Sequence, residues 1–360
     1  MKVLYISIKN DSFATGGIIC RQNNRKALQK NDRIQFSEYF IPLKNSKISK
    51  ILSVLFGYKC GMSLSHIREI LKKIVEEKID VVFLDTSLYG LLVKAIYKKT
   101  DTKIITFFHN CEYEIYRQSI KHKFISIPLL HSVYINEYYS LKYSNKCVFL
   151  TERDNDDCKK RYKLNAKSFY APIALDNKYS FSPKKILLKK PKKLLFVGSY
   201  FYPNIHGLSW FINFVLPYIN YELTVVGRGF ETEDFLNKIS FKERLVIKGY
   251  VESLDAEYEA TDIVIQPVFK GSGMKTKTAE CFMYGKPLVS SSEGLVGYLK
   301  ELNFVYVCNT SEDFIKVLQD LSNKEIPNFC DNLRKCFETV YSLDARTELY
   351  KKLLEEIENE

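Results

Sequence analysis

The chain has 360 residues, 46% of them hydrophobic and 27% charged, which excludes a disordered or fibrous protein and allows two domains of ordinary size. Its formal charge of +12 is unevenly held: residues 1–200 carry 37 Lys and Arg against 17 Asp and Glu, and residues 201–360 carry 17 against 25. A basic half of this kind attracts nucleic acid, an anionic membrane surface or a phosphorylated acceptor, but no nucleic-acid-binding signature accompanies it, so no nucleic-acid partner is expected.

The 25 Tyr and 24 Phe are expected mainly in cores. The nine Cys include no C-x-x-C pair and no metal spacing, so no metal is expected and the thiols read as reduced. The run Val3–Ile8 is too short for a signal-peptide core, and nothing approaches the roughly 18 apolar residues of a membrane span. A cytoplasmic location follows as the expectation.

In chain order, Val3–Ile8 reads as a strand leading into a polar loop with Gly16-Gly17 and then a helix. Ile67, Ile70, Leu71, Ile74 and Val75 share one helical face over 64–78, and the apolar run Val81–Leu84 follows as a strand. A helix over 90–99, a strand over 103–108 and another at 148–150 continue the alternation. The periodicity lapses over 173–193, a stretch rich in Pro and Lys that reads as a linker. A second series begins at Leu194, with strands at 194–197, 223–226, 245–248, 263–266 and 287–290. Helices over 205–216, 231–239, 253–261 and 275–284 are expected between them. Such alternation specifies doubly wound parallel sheets, whose ligands sit at the carboxyl ends of the strands. The expected plan is a first domain over 1–172, completed by a C-terminal helix over 341–360, and a second over 194–340.

The segment Gln266-Pro-Val-Phe-Lys-Gly-Ser-Gly-Met-Lys-Thr-Lys-Thr-Ala-Glu280 carries the most chemistry. A strand ends at Pro267, and a loop with Gly271, Ser272 and Gly273 follows. A helix is expected to start near Lys275 and stop at Gly285, with Pro287 barring its continuation. Glycines let the backbone approach a ligand, and the free N–H groups of a helix start attract an anion. Lys275 and Lys277 add positive charge, so a diphosphate fits. Glu280 projects from the same side as Lys277 and suits the hydroxyls of an adjacent ribose.

This segment resembles the GT-B glycosyltransferases of glycosyltransferase family 4, which are retaining nucleotide-sugar transferases. Phe196-Val-Gly-Ser-Tyr-Phe-Tyr-Pro-Asn-Ile-His-Gly-Leu-Ser-Trp-Phe211 resembles the first strand, loop and helix of their donor domain, and Val225-Val-Gly-Arg-Gly229 and Ile247-Lys-Gly-Tyr-Val251 lie between in the family's order. The resemblance implies an α/β GT-B fold, two Rossmann-like doubly wound domains facing a central cleft. It makes Glu280 the ribose ligand and Lys275, Lys277 and Arg228 the candidates for the phosphates, and it brings Gly16 and Gly17 to the donor. His109 is implied to contact the transferred sugar. No cofactor is implied beyond the nucleotide sugar itself, which is a substrate. Two departures stand out: Ser272 occupies a position that is commonly acidic, and Ser199 and His206 stand where the family commonly has Arg and Lys.

The expected activity is therefore retaining transfer of a sugar from a nucleotide-sugar donor to a glycan or lipid-linked acceptor, in bacterial surface polysaccharide synthesis. A sugar-nucleotide epimerase of the same fold and a non-catalytic sugar-nucleotide-binding partner remain as alternatives, the latter favoured by Ser272. Weak contact with the inner face of the membrane is a further expectation. Lys44, Lys47, Lys50 and Lys59 are interleaved with Ile48, Ile51, Leu52, Leu55 and Phe56, a pattern compatible with an interfacial helix and equally with a buried one.

Overall fold

A computed structural model of the chain describes residues 1–9, 16–43, 47–119, 127–179 and 185–360, with the side chains of 47–50 and 118–119 left aside. The chain divides into two compact units, Met1–Ala174 with Leu343–Glu360, and Leu175–Ser342.

The first unit is built on six strands: β1 (Lys2–Lys9), β2 (Gln35–Pro42), β3 (Val81–Leu84), β4 (Lys103–Phe108), β5 (Lys146–Phe149) and β6 (Ser168–Tyr170). They form one sheet in the order β2-β1-β3-β4-β5-β6, with every pairing parallel. Helices cover both faces of such a sheet, so its central strands read as continuous apolar runs: all four residues of Val81–Leu84 are buried. Helix Leu64–Glu77 buries Ile67, Ile70 and Ile74, starts on Ser63, whose hydroxyl accepts from the His66 amide, and ends on Lys78 in the left-handed conformation. Helix Leu343–Glu358, far along the chain, belongs to this unit and buries Arg346, Tyr350, Leu353 and Leu354.

The second unit contains β7 (Leu187–Leu188), β8 (Lys193–Val197), β9 (Glu222–Val226), β10 (Leu245–Ile247), β11 (Ile263–Gln266), β12 (Leu288–Ser290), β13 (Val305–Val307) and β14 (Ile326–Pro327). Six of them form a parallel sheet in the order β10-β9-β8-β11-β12-β13, while β14 pairs antiparallel with β7. Leu194, Phe196, Leu208, Phe211, Leu223, Val225 and Ile263 are buried in its core, and fully burying each such side chain contributes about 1.5–3 kcal/mol.

The structure revises several expectations. Gly16 and Gly17 are the first residues of helix Gly16–Gln29 rather than part of a loop. The stretch 173–193 is not simply a linker, because β7 lies within it and the Leu175 amide donates to the Tyr341 carbonyl inside the second unit. The helices expected over 231–239 and 253–261 shrink to Glu233–Leu236 and Asp255–Glu259. Of the interfacial pattern, Lys44 and the side chains of Lys47, Ile48 and Lys50 lie outside the described residues. Ile51, Leu55 and Phe56 are exposed as that pattern requires, whereas Lys59 is buried, only 8% exposed, and leaves it. No helix among the described residues is long and apolar enough to cross a membrane.

Candidate functional site

In each sheet the chain leaves one strand to one side and returns on the other, and the loops at that reversal diverge to form a crevice at the carboxyl edge. The reversal lies between β1 and β3 in the first unit and between β8 and β11 in the second.

The loop after β11 holds Gly271, Ser272 and Gly273. Gly271 has φ +132° and Gly273 φ +64°, backbone states that other L-residues adopt only with strain. The loop delivers the chain to helix Thr276–Met283, whose N-cap residue is Lys275 and which no side chain caps. The Thr278 amide donates to the Lys275 carbonyl, which leaves the amides of Thr276 and Lys277 without an intrahelical acceptor, the arrangement that receives an anion. Gly207, in helix Tyr202–Phe214, lets that helix press against the end of β11: a Cβ there would collide with the Pro267 carbonyl oxygen. The two loops at the reversal are thus locked together.

Lys277 spans them. Its Nζ donates to Asn204 Oδ1 at 2.7 Å and lies 4.8 Å from the centre of the Phe196 ring, while Asn204 Nδ2 donates to the Ser199 carbonyl at 2.9 Å. Burial lowers the Lys277 ammonium to about 7; Glu280 opposes the shift and Lys275 reinforces it. Half-buried Glu280 is pushed above the ordinary carboxylate value by burial, against the pull of Lys277, and its carboxylate accepts no hydrogen bond from the described residues. An ammonium that gains from an arriving anion thus stands one helical turn from a carboxylate that no described residue supplies with a donor.

Lys275 is engaged differently. Its Nζ meets Glu293 Oε1 at 3.0 Å and donates to the Gly273 carbonyl at 2.8 Å, tying the glycine loop to the segment after β12. Ser272 is exposed on the rim of that loop. Arg228 follows β9 on an exposed turn, its guanidinium 5.2 Å from the centre of the Tyr250 ring. Asn204 and Glu293 escaped the sequence reading because their roles arise from contacts between segments distant in the chain. For Asn204 the only local signal is a polar residue in the first turn after β8.

In the first unit, His109 follows β4 and is 7% exposed. Its Nε2 lies 3.4 Å from Asp85 Oδ1 and 3.1 Å from the Asp85 carbonyl oxygen. Burial disfavours the charged ring, but the Asp85 carboxylate and then Cys20 outweigh it and push the imidazole up to about 10. Asp85 also accepts from Tyr5 Oη at 2.5 Å and Asn24 Nδ2 at 2.8 Å. Burial alone would raise its carboxyl, yet His109, Arg21 and Tyr5 hold it below the ordinary value. The Asp85 carboxylate thus favours the charged form of the His109 ring. Gly16 and Gly17 open the helix that also carries Cys20 and Arg21, and a Cβ on Gly17 would meet only open space. A cavity of about 710 Å³ lies at the opposite edge of this sheet, among Met1, Asp80, Lys99 and Lys103, and contains none of these residues. The described residues hold no group of three potential metal ligands.

Residues 191–324 match the family described as Glycosyl transferases group 1. A curated relative, the "Uncharacterized 44.6 kDa protein in cps region" of Klebsiella pneumoniae, is 27% identical over 184 residues, which cover 46% of this chain. The match spans 45% of the relative, about half its length. Among solved structures, the lipopolysaccharide outer core galactosyltransferase WaaB superposes with a TM-score of 0.66 at 14% identity, covering 98% of this chain and 99% of that one. Anabaena HepE in complex with UDP-glucose superposes with a TM-score of 0.62 at 10% identity, covering 99% and 100%. At such identities the superpositions speak for the fold, and the family match speaks for the second unit. Residues 191–324 are thus similar to the group 1 glycosyl transferases, within a chain that has the GT-B fold.

Proposed function

We propose that the protein is a retaining glycosyltransferase that moves a sugar from a nucleoside diphosphate donor to a glycan or lipid-linked acceptor in bacterial surface polysaccharide assembly. The observation that carries this reading is the donor cradle of the second unit: an uncapped helix start behind Gly271 and Gly273, with Lys277 one turn from Glu280, which accepts no hydrogen bond from the described residues. The group 1 domain supports it, as do the uridine nucleotide bound by the similarly folded HepE and the cps region that holds the Klebsiella relative.

In this reading the diphosphate sits on the amides of Thr276 and Lys277, with the Lys277 ammonium against it, and Glu280 accepts the ribose hydroxyls. Lys275 and Glu293 hold the loop in shape, and Arg228 reaches the phosphates from the neighbouring turn. Negative charge grows on the diphosphate as the glycosidic bond breaks, so fixed donors at this point lower the barrier. His109, held protonated by Asp85, donates a hydrogen bond to the transferred sugar. No side-chain nucleophile or metal enters the scheme. Thermal-shift titration with a panel of nucleotide sugars tests it, since a ligand of the folded state raises the unfolding midpoint by mass action. One or more donors should stabilise the wild type and leave a folded Lys277→Met/Glu280→Ala variant unmoved. Equal shifts in both proteins, or no shift with any donor, would remove the cradle from the mechanism.

A further inference from the structure

We propose that Arg21 and Lys59 form an anion site beside His109 in the first unit, which takes the carboxylate or phosphate of an acidic sugar substrate. The inference rests on the glycosyl-transfer reading for the word substrate, but its geometry lies wholly within the first unit.

Arg21 stands on the helix after β1 and its carbonyl oxygen accepts from Tyr5 Oη at 3.1 Å, the hydroxyl that also donates to Asp85, which in turn holds His109 after β4. Lys59 enters from the segment before helix Leu64–Glu77, and its ammonium lies 4.4 Å from the centre of the Tyr116 ring. These groups share one locale, because Arg21, Lys59 and His109 all act electrostatically on Glu112.

The cluster is short of acceptors. Arg21 Nε is buried with no hydrogen-bond partner among the described residues, and buried His109 Nδ1 makes no hydrogen bond of good geometry there, the Cys20 thiol being the neighbour that acts on the ring. Lys59, 8% exposed, makes no hydrogen bond or ion pair among them. Asp85 is already matched to His109, and Glu137 is occupied by the amides of Glu112 and Tyr113 and the hydroxyl of Tyr162. That leaves Glu112 to face two cations, and it pairs directly with neither. Buried polar groups are ordinarily satisfied, and buried charges ordinarily paired. Arg, Lys and protonated His are all donors and no acceptors. A ligand that is all acceptor completes them, whereas a neutral hydroxyl would leave the excess charge in place. Glu112 beside them can accept a ring hydroxyl of the same molecule, so the complement is a sugar bearing an anionic group rather than a free ion. Burial holds the Lys59 ammonium below its ordinary value, in keeping with a site that gains from an arriving anion.

The test is equilibrium binding of glucuronic acid, glucose 6-phosphate and glucose to the full chain, followed by UDP-glucuronic acid against UDP-glucose. Wild type should prefer an anionic probe over its neutral counterpart by about tenfold or more, the scale of one charge-assisted hydrogen bond. Lys59→Met and Arg21→Gln should each erase most of that preference, and Lys277→Met should leave the preference among the free sugars intact. A preference seen between the UDP-sugars places the anion on the donor; one that persists among free sugars with UDP saturating places it on the acceptor. No preference with any pair overturns the proposal, as does a preference that survives both variants. Should Arg21→Gln fail to fold, Lys59→Met decides alone. UDP binding is scored separately: anion preference without UDP binding would sink the transferase reading and keep this site, and the reverse would sink this site alone.

Discussion

Lys277 should make nucleoside diphosphate binding depend on pH in a way that can be calculated. In the free protein its ammonium sits at about 7 rather than at the ordinary 10.5. A bound diphosphate supplies the missing counter-charge, so the folded complex holds the proton that the free protein has begun to release. Protons are therefore taken up on binding, and affinity falls as pH rises past the free value. If the complex restores the group to about 9.5, this contribution weakens roughly twentyfold between pH 6.5 and 8.5, about 1.8 kcal/mol. Uptake at pH 8 should approach about 0.9 proton per UDP. Isothermal titration in buffers of differing ionisation enthalpy reads that number directly. The terminal phosphate of UDP titrates near pH 6 on its own, but it does so equally in Lys277→Met, so the difference between the two proteins isolates the lysine. An identical proton count in wild type and Lys277→Met would refute the claim that this ammonium meets the diphosphate.

Glu280→Ala should weaken UDP binding about tenfold, the loss of one or two hydrogen bonds to a charged acceptor, measured by the same titration with circular dichroism confirming the fold. His109 gives a stability signature: its folded pKa of about 10 lies above the ordinary 6.5, so its contribution is full below pH 6.5 and is lost as pH climbs through 10. The unfolding midpoint of wild type should therefore exceed that of His109→Gln most at pH 6 and least at pH 10; a gap that does not narrow would contradict the ion pair with Asp85. The exposed Ile51, Leu52, Leu55 and Phe56 should carry the chain onto anionic vesicles at low salt. Leu55→Asp/Phe56→Asp should release it, and wild type staying in the supernatant would dismiss membrane contact.

The parts of the fold that were legible in sequence are those set by local rules. Val3–Ile8 and Val81–Leu84 are apolar runs of strand length, and Gly271, Gly273 and Pro287 bracket a short helix through backbone constraints that each residue imposes alone. What stayed hidden depends on contacts between distant segments. The two-residue strand Leu187–Leu188 has no periodicity to show and exists only because Ile326–Pro327 pairs with it. Gly16-Gly17 reads as a loop by composition, yet the helix absorbs it. At the site, Lys275 and Lys277 look interchangeable in sequence. Glu293 claims one and Asn204 orients the other, 18 and 73 positions away. In sequence Lys59 reads as the last of four lysines in a pattern that suits an interfacial or a buried helix alike; only the fold shows it buried, against the ring of Tyr116.

Product stereochemistry separates retaining glycosyl transfer from every other reading of this protein. Wild-type protein would be incubated with the UDP-sugar that stabilises it most and with a glycan or lipid-linked acceptor fraction, and the new linkage examined by proton NMR. An α-linked donor should yield an α-linked product, with UDP released in equal amount and both lost in Lys277→Met/Glu280→Ala. A β-linked product would contradict retention, a donor altered in the absence of acceptor would indicate an epimerase, and a donor bound tightly but never consumed would indicate a binding partner without catalysis.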